Sequence, residues 1–234
     1  MGNQVKKIII TFILIFIIYP FFSYSHVNHY AKLRLIEMDI LRNGKKIGYN
    51  KYSFKNQNNL LVVKNDINFV AKLMGINLLV VNGSSTETYK NGKLIKFNSD
   101  TIQNKKKKYN KLVLDENKKT YEINGSSFKG ALSSTTLIGN WWNHGILQSK
   151  MIISPLSGSL KFQEVYFLSK ETLKIKNKNH ITRKFKIIMK KNIDDKKKEE
   201  FNIWLDDKSK IILKVSYSKF GDWEYIVTNI EKFY

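Results

Sequence analysis

From residue 33 onward, apolar and polar side chains alternate with a period of two, and no long stretch shows helical spacing. Ile211, Leu213, Val215 and Tyr217 share one side of a segment whose other side carries Lys214, Ser216 and Ser218. Ile181, Phe185, Ile187 and Met189 alternate in the same way with His180, Thr182, Lys184, Lys186 and Lys190. Phe201, Ile203 and Leu205 alternate with Asn202, Trp204 and Asp206. A strand with one dry and one wet face belongs to an antiparallel sheet, because parallel sheets are covered on both faces. The pattern therefore predicts an all-β chain.

Turn chemistry sets the connections. Asn-Gly occurs at Asn43-Gly44, Asn82-Gly83, Asn91-Gly92 and Asn124-Gly125, and this dipeptide reaches the positive φ angles of a type I′ hairpin at little cost. The expected hairpins join 33–42 to 45–54, 84–90 to 93–103, 108–114 to 120–124 and 199–205 to 211–219, with a last strand at 223–231. Ten or eleven strands in sequence make an antiparallel meander, which must twist into a strongly curved sheet or a partly open β-barrel. One stretch departs from the alternation. Residues 130–150 read as a short helical or irregular crossover near 134–148, with Trp141 and Trp142 plugging one open end of the curled sheet.

A length of 234 residues with 42% apolar and 13% aromatic side chains suits a single β domain over 26–234. The first 25 residues differ. Lys6 and Lys7 precede an uncharged apolar run, Ile8 to Phe22, and then Ser23-Tyr24-Ser25. That order is a signal peptide, which implies an exported protein, in the periplasm of a Gram-negative bacterium. The alternative is an uncleaved inner-membrane anchor, although the run is shorter than the ~20 residues that span a bilayer. With no cysteine, disulfides and thiolate chemistry are excluded.

The net charge is +22, yet of the 41 basic residues only Arg34, Arg42 and Arg183 are arginine. Nucleic-acid readout leans on guanidinium groups, so the expected partner is not nucleic acid but an anionic membrane surface. Lysine clusters at 104–108 and 190–198 read as solvated loop tips that discourage edge-to-edge pairing.

No G-x-S-x-G, H-E-x-x-H, P-loop or G-x-G-x-x-G occurs. The acidic pairs Asp194-Asp195, Glu199-Glu200 and Asp206-Asp207 do not read as metal ligands, because neighbours on a strand point apart and the two Asp pairs fall at turns. No metal and no cofactor are expected. Apolar clusters at 67–81 and 137–147, in a sheet that must curl, point to a non-enzymatic protein holding a lipid or other apolar ligand. The expected lining is Phe69, Leu73, Leu78, Val80, Trp142, Asn143, His144, Phe185 and Ile187, with Trp142 near the mouth. Two rivals stand beside this reading. One is an envelope protein that contacts a membrane or a protein partner. The other is an enzyme built around Asn143, His144 and Glu87, although His144 lacks an adjacent carboxylate in sequence.

An ordered series of short motifs supports a resemblance. It begins with Ile40-Leu41-Arg42-Asn43-Gly44-Lys45-Lys46-Ile47-Gly48 and continues through Glu87-Thr88-Tyr89-Lys90-Asn91-Gly92-Lys93-Leu94 and Thr101. Thr136 to Asn143 and then Ile203-Trp204-Leu205-Asp206-Asp207 complete it. In this order the chain resembles the bacterial exported proteins of domain of unknown function 6134, over roughly residues 35–230. The resemblance implies a curved β fold and an exported compartment, and no reaction.

Overall fold

The computed structural model describes residues 27–233. The segment expected as a signal peptide, residues 1–25, and His26 lie outside the described residues. A 3-10 turn, Asn28–Lys32, leads into β1 (Leu33–Arg42). Then follow β2 (Lys45–Gln57), β3 (Leu60–Leu73), β4 (Ile76–Lys90), β5 (Lys93–Gln103), β6 (Lys106–Asp115), β7 (Thr120–Gly125) and β8 (Lys129–Ser133). After two short strands, β9 (Leu137–Ile138) and β10 (Met151–Ile153), the second run comprises β11 (Leu160–Ile175), β12 (Lys178–Lys190), β13 (Lys198–Asp206), β14 (Ile212–Ser218) and β15 (Asp222–Lys232).

Among the described residues, all fifteen strands form one sheet, ordered β8-β7-β6-β5-β4-β3-β2-β1-β15-β14-β13-β12-β11-β10-β9. Every pairing is antiparallel except β9 with β10. Two meanders are thus zipped together where β1 meets β15, with Ile36 opposite Ile230 and Ile40 opposite Tyr225. The sheet curls without closing. Inward residues of both meanders, such as Leu112 and Ile123 from one and Ile187 and Ile203 from the other, belong to one buried core. The fold is the antiparallel, partly open barrel expected from the alternation.

The Asn43-Gly44 and Asn91-Gly92 turns form as expected, with positive φ at both residues of each. Other expectations change. Fifteen strands replace ten or eleven, the addition including the short β8, β9 and β10. Asn82-Gly83 is not a turn but the middle of β4, paired with Ile102 and Thr101. A Cβ at Gly83 would stand 2.7 Å from Thr101 Oγ1, so glycine there serves close packing between strands. Asn124-Gly125 ends β7, and the chain reverses over the next three residues. The crossover is irregular as expected, apart from the two-residue β9, with a single 3-10 turn at His144–Gln148 whose start is capped by the Asn143 side chain. On β12, Thr182 is buried while Ile181 is exposed, the reverse of the expected alternation. The β13 ladder ends at Thr182 opposite Asp206, and beyond it Ile181 pairs with Thr172 of β11 and accepts from the Asp207 amide at 2.9 Å while its side chain stays exposed.

Candidate functional site

Register lines the inner face of the first meander with rows of different character. Val63, Glu87, Phe97, Leu112 and Ile123 stand opposite one another across β3 to β7. The next row consists of Asn65, Ser85, Ser99, Asn110 and Gly125. Small and polar side chains make this second row shallow, and the loop between β10 and β11 lies across it. Ser99 Oγ donates to the Pro155 carbonyl at 2.5 Å, and Asn110 Nδ2 to that of Ser154 at 3.4 Å. The Ser127 amide donates to the Ser157 carbonyl at 2.9 Å. A Cβ at Gly125 would meet the Ser157 carbonyl at 2.7 Å. The loop divides the interior into a packed compartment and an open one.

The packed compartment centres on Trp142, which is 1% exposed. Tyr30, Phe54 and Tyr89 each meet its ring edge-to-face, with centroids 5.0, 5.4 and 5.8 Å away, an arrangement favoured by the ring quadrupoles. Its indole N–H donates to Glu87 Oε1 at 2.8 Å, as does Asn140 Nδ2 at 2.7 Å, while the Tyr89 hydroxyl donates to Oε2. Burial raises the Glu87 pKa, and the three donors work against that rise. Glu87 is therefore the buried peg that fixes the crossover segment inside the barrel. Asn143 accepts from the Gly145 amide at 2.9 Å, and His144 Nδ1 lies 2.7 Å from the Tyr30 hydroxyl. Glu87, Asn143 and His144 thus serve three different sets of partners.

The open compartment is a cleft of about 1760 Å³. One wall comes from the last three strands: Phe201, Tyr217, Trp223 and Tyr225, joined by Trp141 from the crossover. Tyr217 stacks on Trp223 with centroids 5.6 Å apart and 9° between planes, and Trp141 lies 5.7 Å from Phe201. Burial pushes the Tyr225 hydroxyl up to about 12 and raises that of Tyr217 as well. A second apolar wall, Ile67, Phe69, Leu79 and Val81, joins the first where Phe69 meets Trp223 edge-to-face at 5.7 Å. Lys108, Lys161, Lys191, Lys197, Lys198 and Lys219 rim the opening, with Glu199 and Glu200 among them. Burial opposes the charge on Glu199, but Lys219 and Lys161 hold its carboxyl below the usual range.

Of the residues expected to line a ligand site, Phe69 and Leu78 border this cleft. Trp142 is in the packed core and not at a mouth, because Glu87 and three aromatic rings draw it inward. Ile187 is fully buried in that core. Phe185 is half-buried against Phe167 on the β11–β12 hairpin. Leu73 is 48% exposed at a hairpin tip. Val80 pairs with Val70 and alternates with inward Val81, so it faces away from the cleft. The aromatic wall lies outside the expected lining. Its signal in the sequence is the place of Phe201 and Tyr217 on the apolar faces of their strands, which alternation alone does not separate from core.

Among solved structures, the chain is similar to a β-barrel-like protein of domain of unknown function DUF1849 from Brucella abortus. The identity is 10% and the TM-score 0.59, covering 87% of this chain and 98% of that one. A Bacteroides fragilis protein with a YmcC-like fold matches at 12% identity and a TM-score of 0.37, covering 85% of this chain and 95% of that one. No curated protein matches. At such identity the first likeness shows a shared barrel-like fold alone. A family model matches residues 38–228, which takes in both meanders and the crossover between them, and so the chain belongs to the family described as domain of unknown function DUF6134.

Proposed function

We propose that this is an exported, non-enzymatic protein that binds an amphipathic anionic ligand of the lipid class in the cleft between β3–β4 and β13–β15. One observation carries the reading: an aromatic wall and a second apolar wall that meets it at Phe69, under an opening rimmed with lysine. Ligand sites are concave, mostly apolar and marked by a few placed polar groups. An acyl chain suits the two walls, and a carboxylate or phosphate suits the lysine rim. The order of charged, apolar and small residues at the start of the sequence supports export. No helix among the described residues is long and apolar enough to cross a membrane.

Mass spectrometry of organic extracts from the purified protein tests the proposal, together with titration of long-chain fatty acid followed through tryptophan emission. The expected result is a stoichiometric lipid, with emission from Trp141 and Trp223 changing on binding. Preparations repeatedly free of lipid, with no saturable change in emission, would overturn it.

A further inference from the structure

The turns at the two ends of the barrel differ in kind. At the end away from the cleft they are Asn58-Asn59, Asn91-Gly92, 116–119, Lys176-Asn177 and 207–210, all polar. At the cleft end Asn43-Gly44 and Asn104-Lys105 are polar too, but the β3–β4 turn, the 191–197 loop and the β14–β15 turn carry Met74, Ile193 and Phe220, with Ile76 opening β4 beside Met74. These are the four most exposed large apolar side chains among the described residues, at 95%, 74%, 66% and 73%.

Backbone conformation adds an independent sign. Met74 and Phe220 have φ of 48° and 54°. Every other described non-glycine residue with positive φ is asparagine or lysine. A left-handed turn position favours Asn or Gly, so a bulky apolar residue there opposes local preference. Such departures are expected where function sets the residue. Nothing within the fold rewards these two side chains, since both point into solvent.

The tips are held in place together. Arg42, 9% exposed, donates through Nη1 to the Lys72 carbonyl at 2.7 Å and through Nη2 to the Phe220 carbonyl. One guanidinium thereby braces the β3–β4 hairpin against the β14–β15 turn. Asn104 bonds both backbone polar groups of Val80, which sets the 104–108 lysines beside the Met74 hairpin. Lys219 pairs with Glu199, which joins the Phe220 turn to the strand that follows the 190–198 lysines.

We propose that this end of the barrel docks on the surface of an anionic lipid bilayer, with Met74, Ile76, Ile193 and Phe220 entering the interface and the lysines of 104–108 and 190–198 against the headgroups. Apolar side chains set among lysines, which outnumber Asp194 and Asp195 beside Ile193 in the 190–198 loop, match such an interface on both counts. The cleft opens at the same end, so docking places its mouth on the membrane. The surface goes beyond the ligand reading, because vesicle partitioning tests it whatever the cleft contains.

Flotation with vesicles of phosphatidylglycerol and phosphatidylcholine, or of phosphatidylcholine alone, at low and high salt, provides the test. The wild-type protein should float with the anionic vesicles and less so at high salt. Met74→Asn and Phe220→Asn should each weaken partitioning by about tenfold, while the thermal midpoint stays level or rises because Asn suits the turn. Ile181→Asn, at the other end and 65% exposed in the wild type, should leave partitioning unchanged. Tip variants that partition like wild type, an equal loss from Ile181→Asn, or no preference for anionic vesicles would overturn the proposal.

Discussion

Trp141 and Trp142 are consecutive in the chain and face opposite compartments. Trp142 sits among Tyr30, Phe54 and Tyr89 with its indole N–H on Glu87, whereas Trp141 lies against Phe201 and Tyr225 in the wall of the cleft. Trp142→Ala should cost about 3–5 kcal/mol of stability, since it leaves a large hole and strips the carboxylate of a donor. Trp141→Ala should cost under about 2 kcal/mol and should instead abolish saturable lipid binding. Denaturant melts of the two variants, beside fatty-acid titrations, separate the roles.

Glu87 should impart an unusual pH dependence. Burial raises its folded pKa above the ordinary 4.5, so the native state holds the proton more tightly than the unfolded chain does. This contribution is fully present below the unfolded value and is lost as pH rises through the folded pKa. Glu87→Gln keeps an oxygen for Asn140 and Trp142, and its amide can donate to the Tyr89 hydroxyl. Relative to wild type, that variant should gain thermal stability as pH climbs from about 4 to 8. Glu87→Ala takes the acceptor from three buried donors, Trp142, Asn140 and Tyr89, and should lose about 3 kcal/mol or more at every pH.

Glu200 shows the opposite shift on the surface. Lys186 at 2.5 Å and Lys198 at 2.8 Å pull its carboxyl down to about 2. Its charge-dependent contribution is present above the unfolded pKa and lost as pH falls through the folded one. In a Lys186→Met variant, the Glu200 carboxyl resonance should titrate at a higher pH, nearer the ordinary range. A titration curve identical to wild type would show that Lys186 does not set it.

Gly48 admits no side chain. A Cβ there would stand 2.0 Å from the Asn68 carbonyl oxygen and 2.4 Å from Phe69 Cβ. Backbone and a neighbouring Cβ cannot give way as a flexible side chain would. Gly48→Ala should therefore destabilise by more than about 2 kcal/mol in urea unfolding, or separate β2 from β3 locally.

Local features were legible in the residues. The alternation placed strands, and Asn43-Gly44 and Asn91-Gly92 marked reversals, because strand faces and tight turns depend on neighbours in sequence. Asn82-Gly83 misled for the same reason. Its glycine answers to Thr101 on β5, which a dipeptide rule does not see. The shallow row from Asn65 to Gly125 emerges only from registers across five strands. The opposite directions of Trp141 and Trp142 depend on Glu87, more than fifty positions away. Two motifs behind the family resemblance meet there: Glu87 and Tyr89 from the first, Asn140 and Trp142 from the second.

The seam between β1 and β15 bears on how the molecule comes together in time. Each meander is built from neighbour-to-neighbour hairpins that can form as soon as their own residues are available. The β1–β15 ladder, with Met38 opposite Val227, needs residues almost two hundred positions apart. Its loop-closure entropy falls on one late event. A chain with such a seam stays incomplete until its last strand arrives, so every hairpin made earlier waits with an open edge for a partner from the far end of the sequence.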